Sequence, residues 1–168
     1  FNSYPSVENV DGARVLTAQL GRGFNLTSNF TLVWVGKMNV NNTVSCIMGN
    51  GPNAGEPHSI IFHGGTAGGW NGFGYYQNSA IRLQGTTENT TSEICIITNN
   101  TVMVNGVVQS TGTIGGDYVS TLNVLFKYDT VSSYALRGET AEIIGFSSTK
   151  LNSTDMLTLS TAINSKYL

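Results

Sequence analysis

Asn105-Gly106 is the feature that most restricts what this chain can form. It divides the segment TVMVNGVVQSTG, residues 101–112, into two apolar arms, with Val102 and Val104 before the dipeptide and Val107 and Val108 after it. Both central residues of a type I′ turn need positive φ, which Asn and Gly tolerate and most residues do not. The segment therefore reads as strand, two-residue turn and strand.

The flanking chain reads mostly as strand as well. In the stretch FNLTSNFTLVWVGKM, residues 24–38, Phe30, Leu32 and Trp34 share one face and Val33 and Val35 the other. Apolar residues on both faces predict a central strand covered on both sides. Further strands are expected over residues 13–20, 44–48, 59–63, 81–84, 93–98, 122–128 and 141–147, with a turn at 9–12. The end of the chain changes period. In residues 151–167, Met156, Leu159, Ile163 and Tyr167 recur at spacings of three and four, which is one apolar helix face. Asn152 is placed to cap that helix, Asp155 to sit in its first turn, and Leu151 and Met156 to clasp across the cap. About ten short strands at spacings of ~8–12 residues, followed by one helix, predict an all-β antiparallel jelly-roll sandwich.

The chain of 168 residues suits a single domain over 1–168. Charged residues make up only 11% and the net charge is −2. Nucleic-acid binding selects basic patches, and disorder needs high charge with few apolar residues, so neither is expected. No apolar run approaches ~18 residues, so no membrane insertion is expected. The sequence opens on Phe1, and without an initiator Met or a signal-peptide pattern it is expected to be a domain excised from a longer chain. Cys46 and Cys95 both lie in apolar strand contexts. Two buried free thiols and a disulfide are both compatible with that, since spacing alone does not supply the Cα separation.

The order of a VNG hairpin (TVMVNGVVQSTG), a strand, AEIIGFSS, and a helix opened by LNSTD and closed by SKY resembles the concanavalin A-like, laminin-G-type jelly-roll superfamily. The strand in FNLTSNFTLVWVGKM resembles its early core strand. The resemblance covers roughly residues 24–48 and 101–168 and is carried by fold motifs. It implies a lectin, an adhesion module, or a glycoside hydrolase or lyase, on bacterial surface proteins or phage tail fibres among other places. The E-x-D-x-E strand of the superfamily's hydrolases is absent. Glu139 and Glu142 are three apart, which predicts opposite faces of a strand, and Glu88 and Glu93 flank a polar turn as solvated carboxylates. His63, Tyr75, Tyr76 and Arg82 have no spacing that ties them to lyase chemistry. No catalytic residue is expected. Calcium is common in the superfamily, but Asp11, Asp117 and Asp129 stand singly, so no cofactor is expected beyond a structural calcium ion.

Gly64–Asn78, GGTAGGWNGFGYYQN, holds six glycines and four aromatics in fifteen residues. A sugar presents apolar CH faces and hydroxyls, which an aromatic platform with planar amides recognises. His63, Trp70, Asn71, Tyr75, Tyr76 and Asn78 are the candidate ligand-binding residues. In the competing reading Phe73 and Tyr75 alternate into the core and the glycines only form turns. Six N-x-[S/T] sequons, at Asn25, Asn29, Asn41, Asn89, Asn99 and Asn152, would accept glycans in a eukaryotic secreted protein. The leading expectation is a non-catalytic, lectin-like module on the extracellular or virion surface, in a tail fibre or bacterial surface protein, recognising a cell-surface glycan. A homotrimer suits a fibre tip. The alternative is a structural or protein-interaction domain of such an assembly.

Overall fold

The structure is a computed structural model that describes residues 7–9, 18–26, 29–39, 44–49, 59–64, 69, 72–77, 80–86, 91–112, 120–125 and 136–167. Over these it has strands β1 (Val7–Asn9), β2 (Ala18–Leu26), β3 (Thr31–Met38), β4 (Ser45–Gly49), β5 (Ser59–Gly64), β6 (Gly72–Gln77), β7 (Ala80–Gln84), β8 (Glu93–Thr98), β9 (Thr101–Val104), β10 (Val107–Thr111), β11 (Ser120–Leu125) and β12 (Gly138–Phe146), then helix α1 (Ser153–Tyr167). The strands form two six-stranded sheets, ordered β1-β12-β3-β8-β9-β10 and β2-β11-β4-β5-β6-β7. Every pairing is antiparallel. The fold is the expected all-β jelly-roll sandwich with one C-terminal helix.

The two faces of β3 explain the layering. Leu32 and Trp34 point between the sheets, into a core with Ile47, Ile61, Phe73, Tyr75, Cys95 and Ile97. Val33 and Val35 point outward and are covered by Met156, Ile163 and Tyr167 of α1, together with Ile94, Ile96 and Met103. Period-two alternation thus serves a core on each side of one strand, as the sequence predicts. The Trp34 indole is closed by a hydrogen bond from Nε1 to Thr140 Oγ1 of β12 at 2.9 Å.

The helix begins as its sequence requires. Asn152 Oδ1 accepts the Thr154 and Asp155 N–H groups at 2.9 and 3.0 Å, and Asn152 Nδ2 donates to Asp155 Oδ2 at 2.7 Å. These bonds satisfy donors that a helix start leaves unpaired. Thr31 Oγ1 fastens the preceding loop to β3, donating to the Thr149 carbonyl and accepting from Leu151 N–H. The hairpin turn is also as expected, with φ of 49° at Asn105 and 79° at Gly106. No helix among the described residues is long and apolar enough to cross a membrane.

Other expectations need correcting. β1 occupies Val7–Asn9, and β2 runs over Ala18–Leu26, so the strand expected over 13–20 meets it at 18–20 and β2 continues beyond; of the turn expected over 9–12 only Asn9 lies within the described residues. Residues 13–17 and 126–128 lie outside the described residues. A bulge between Thr140 and Glu142 interrupts the β12 register. It places Glu139 and Glu142 on the same outer face, where each meets a lysine: Glu139 with Lys37 at 3.0 Å and Glu142 with Lys166 at 3.5 Å. Both cysteines are free and buried. Cys46 packs with Phe62 on the outer face of the second sheet, whereas Cys95 lies between the sheets, so a sheet separates the two thiols.

Candidate functional site

The glycine–aromatic segment is not one loop. β6 runs through it, paired with β5 from Ser59↔Gln77 to Gly64↔Gly72 and with β7 from Gly74↔Gln84 to Gln77↔Ala80. Its glycines hid the strand from sequence reasoning. At Gly74 the reason for glycine is steric, since a Cβ would stand 2.6 Å from both the Phe62 ring and the Leu83 carbonyl oxygen. Phe73 and Tyr75 turn inward, Phe73 stacking on Trp34 with centroids 6.3 Å apart and Tyr75 meeting Phe30 edge-on at 6.4 Å. The competing sequence reading therefore describes these two rings.

The structure distributes the candidate residues as follows. Tyr75 is buried in the inter-sheet core. His63 is buried there too, its ring 5.7 Å from that of Trp34. Neither stands where a glycan docks, because strand alternation on β5 and β6 directs both between the sheets. Tyr76 alternates the other way. It is half-buried on the outer face of the second sheet, against Cys46, Phe62, Val44 and Ile81. Arg82 of β7 lies nearby and its Nε donates to the Gln77 carbonyl at 3.1 Å. Trp70, Asn71 and Asn78 lie outside the described residues.

His63 has a partner that sequence reasoning missed. Its Nε2 lies 2.8 Å from Glu93 Oε2, with both side chains almost fully buried. With the carboxylate as acceptor, Nε2 is the donor. Cys95 Sγ donates to the same oxygen at 3.7 Å. Burial first, and then the Glu93 charge and this bond, raise the Cys95 pKa well above its ordinary value, so the group stays a thiol. Glu93 Oε1 and Ser45 Oγ, on the residue paired with His63 across β4–β5, are buried and have no hydrogen-bond partner among the described residues. Glu93 is thus a core carboxylate and not the solvated one expected beside Glu88. The signal was its inward parity with Cys95 and Ile97 on β8, but its partner is thirty residues away on the other sheet. Serine, histidine and glutamate are the residue types of an acyl-transfer triad. Among the described residues Ser45 Oγ has no hydrogen-bond partner, and all three side chains are buried, so the arrangement is a hydrogen bond inside the core and not a charge relay.

Among the described residues, no group of three or more His, Cys, Asp or Glu side chains is arranged to hold a metal ion. Asp11, Asp117 and Asp129 lie outside them. Of the sequons, Asn29 and Asn152 are exposed, and the Asn152 amide is engaged in capping α1.

No family model matches the chain, and no curated protein matches it. Solved structures do share its fold. Domain 4 of an extracellular GH43 arabinanase from Geobacillus stearothermophilus, in complex with arabinotriose, is 12% identical with a TM-score of 0.60, covering 92% of this chain and 72% of that one. The CBM40 of the Ruminococcus gnavus IT-sialidase is 11% identical with a TM-score of 0.57, covering 93% of this chain and 98% of that one. Trypanosoma rangeli sialidase in complex with sialic acid is 14% identical with a TM-score of 0.56 over 82% of this chain. The chain spans only 23% of the length of that sialidase. At such identities the likeness is one of fold. It agrees with a concanavalin A-like β-sandwich.

Proposed function

We propose that this chain is a non-catalytic carbohydrate-binding module that recognises a glycan through the segment around Trp70–Asn78. The observation that carries the reading is the division of labour along β6. Phe73 and Tyr75 anchor the strand in the core, while Tyr76 stays half-exposed on the outer face beside Arg82. A strand pinned on one face gives a rigid base for aromatic and amide groups on the other, which lowers the ordering cost of binding. The similar arabinanase domain 4 is in complex with arabinotriose, which supports the reading without naming the sugar for this chain.

Trp70 serves as the stacking platform, with Tyr76, Asn71 and Asn78 as further contacts. His63 and Tyr75, buried between the sheets, act as supports for β5 and β6. The module belongs to an extracellular or virion-surface assembly, over residues 1–168 as one domain. The test is a broad glycan array with the wild type, Trp70→Ala and Tyr76→Ala. Saccharide-specific binding that is lost in Trp70→Ala and weakened in Tyr76→Ala is the expected result. An empty array with folded protein would sink the reading.

One observation favours the alternative of a protein-interaction domain. Edge strand β10 exposes Val107 and Val108, at 60% and 42%. An edge strand with apolar side chains is a template for pairing with another chain. Light scattering that shows a concentration-dependent oligomer, abolished by Val108→Lys, would support that alternative.

A further inference from the structure

A cleft of about 190 Å³ lies between the hairpin turn and the helix, lined by Asn105, Gly106, Leu157, Ser160, Thr161 and Asn164. We propose that it is a binding site for a single neutral sugar residue, separate from the Trp70–Asn78 segment.

Three features point to that ligand. The first is the donor set. Asn105 Oδ1 is held by the Ile94 N–H at 2.8 Å and its own N–H by the Ile94 carbonyl at 2.9 Å, so the side chain is fixed in place. Among the described residues its Nδ2 has no acceptor, and the Asn164 amide and Ser160 hydroxyl have no partner. Thr161 Oγ1 donates to the Leu157 carbonyl, which orients its lone pairs as acceptors. Amides and hydroxyls converging on one cleft match the paired donors and acceptors of a sugar ring.

The second feature is the apolar wall. Leu157 is 48% exposed on α1, and it shares a helix face with Thr161 and Asn164, four and seven residues on. Exposed Val107 follows directly after the turn. A Cβ at Gly106 would reach within 3.2 Å of Leu157 Cδ1, so glycine keeps the cleft open as well as permitting the turn. The third is charge and size. No lining residue is ionisable, which disfavours anionic and zwitterionic ligands. The volume falls below the roughly 300–1,000 Å³ of drug-sized sites, so the cleft takes one ring.

The experiment is a titration of the full chain with arabinose, glucose, galactose and N-acetylglucosamine. The readout is the side-chain amide NMR signals of Asn105 and Asn164. Sialic acid and glycerol serve as the anionic and acyclic comparisons. Saturable shifts with at least one neutral sugar are expected, weakened about tenfold, or about 1.4 kcal/mol, in Asn164→Ala and in Leu157→Ala. The absence of saturable shifts with every neutral sugar would overturn the proposal. So would shifts that persist undiminished in both cleft variants, or equal response to sialic acid or glycerol. The cleft is read through Asn164→Ala and Leu157→Ala, and the glycan array through Trp70→Ala and Tyr76→Ala, so failure here and failure on the array are read separately.

Discussion

The two faces of β8 make a controlled comparison, since they share one backbone. In EICIIT, Ile94 and Ile96 point outward beneath α1, into a layer of Val33, Val35, Met103, Met156, Ile163 and Tyr167. Glu93, Cys95 and Ile97 point inward, where the carboxylate meets His63 and the thiol. The outer layer is held by apolar burial, which is non-directional and tolerates substitution of similar volume. The inner layer contains a buried hydrogen bond between His63 and Glu93, whose formation must offset the desolvation of both polar groups. One strand therefore carries two kinds of core, one forgiving in shape and one demanding in chemistry.

The sharpest way to break that contrast is to remove one member of the pair. Glu93→Leu leaves His63 buried alone and is expected to lower stability by ~3–5 kcal/mol in urea unfolding. Replacing both, with His63→Met and Glu93→Met, is expected to recover most of that loss or to exceed the wild type. A double variant as unstable as the single would mean that the pair contributes more than mutual compensation.

On the outer face the expected cost comes from lost volume. Met156→Ala should lower stability by ~2–5 kcal/mol, while Met156→Leu should cost under ~1.5 kcal/mol. Thermal unfolding of the two variants checks this. Smaller still is the cap. Asn152→Ala removes the acceptor for two helix N–H groups and should cost ~1 kcal/mol, with Asn152→Asp close to wild type.

The smallest effect is confined to alkaline conditions. Burial raises the pKa of Cys46, and burial with Glu93 raises that of Cys95, above the ordinary value of 9.0. The folded state then holds both protons more tightly than the unfolded chain. That stabilisation is complete below the unfolded pKa and is lost as pH climbs from about 9 toward the folded values. The double variant Cys46→Ala, Cys95→Ala is expected to lose stability less steeply above about pH 9. In the wild type at pH 8, a thiol reagent should label neither cysteine until the protein unfolds.

The same comparison shows what is legible in a sequence. The outer layer could be read in advance because its signals are local. The cap residues lie within four positions of one another, the helix stripe repeats at three and four, and Val33 and Val35 alternate within a single strand. The inner pair could not, because a contact between His63 and Glu93 has no period and crosses from one sheet to the other. β6 was missed for a different reason. Gly72 and Gly74 normally signal turns, and here Gly74 makes room for the Phe62 ring. Without β6 as a fixed neighbour, the inward alternation of Tyr75 stood only as the competing reading, and nothing decided which face of the expected strand 59–63, and so of His63, lay inward. The bulge at Thr140–Glu142 likewise reversed the facing of one carboxylate by a backbone irregularity that no side-chain pattern encodes.

The position of β3 in its sheet also has a consequence for the order of events when the chain is made. β3 lies between β8 and β12, and the bond from Trp34 to Thr140 spans 106 residues. Until the C-terminal region has emerged, one edge of this strand lacks its neighbour and Val33 and Val35 lack the helix that covers them. A topology with so much long-range pairing is expected to fold in milliseconds to seconds and not in microseconds. Nascent chains that stop short of β12 would present an apolar, unpaired strand to their surroundings for the whole of that interval.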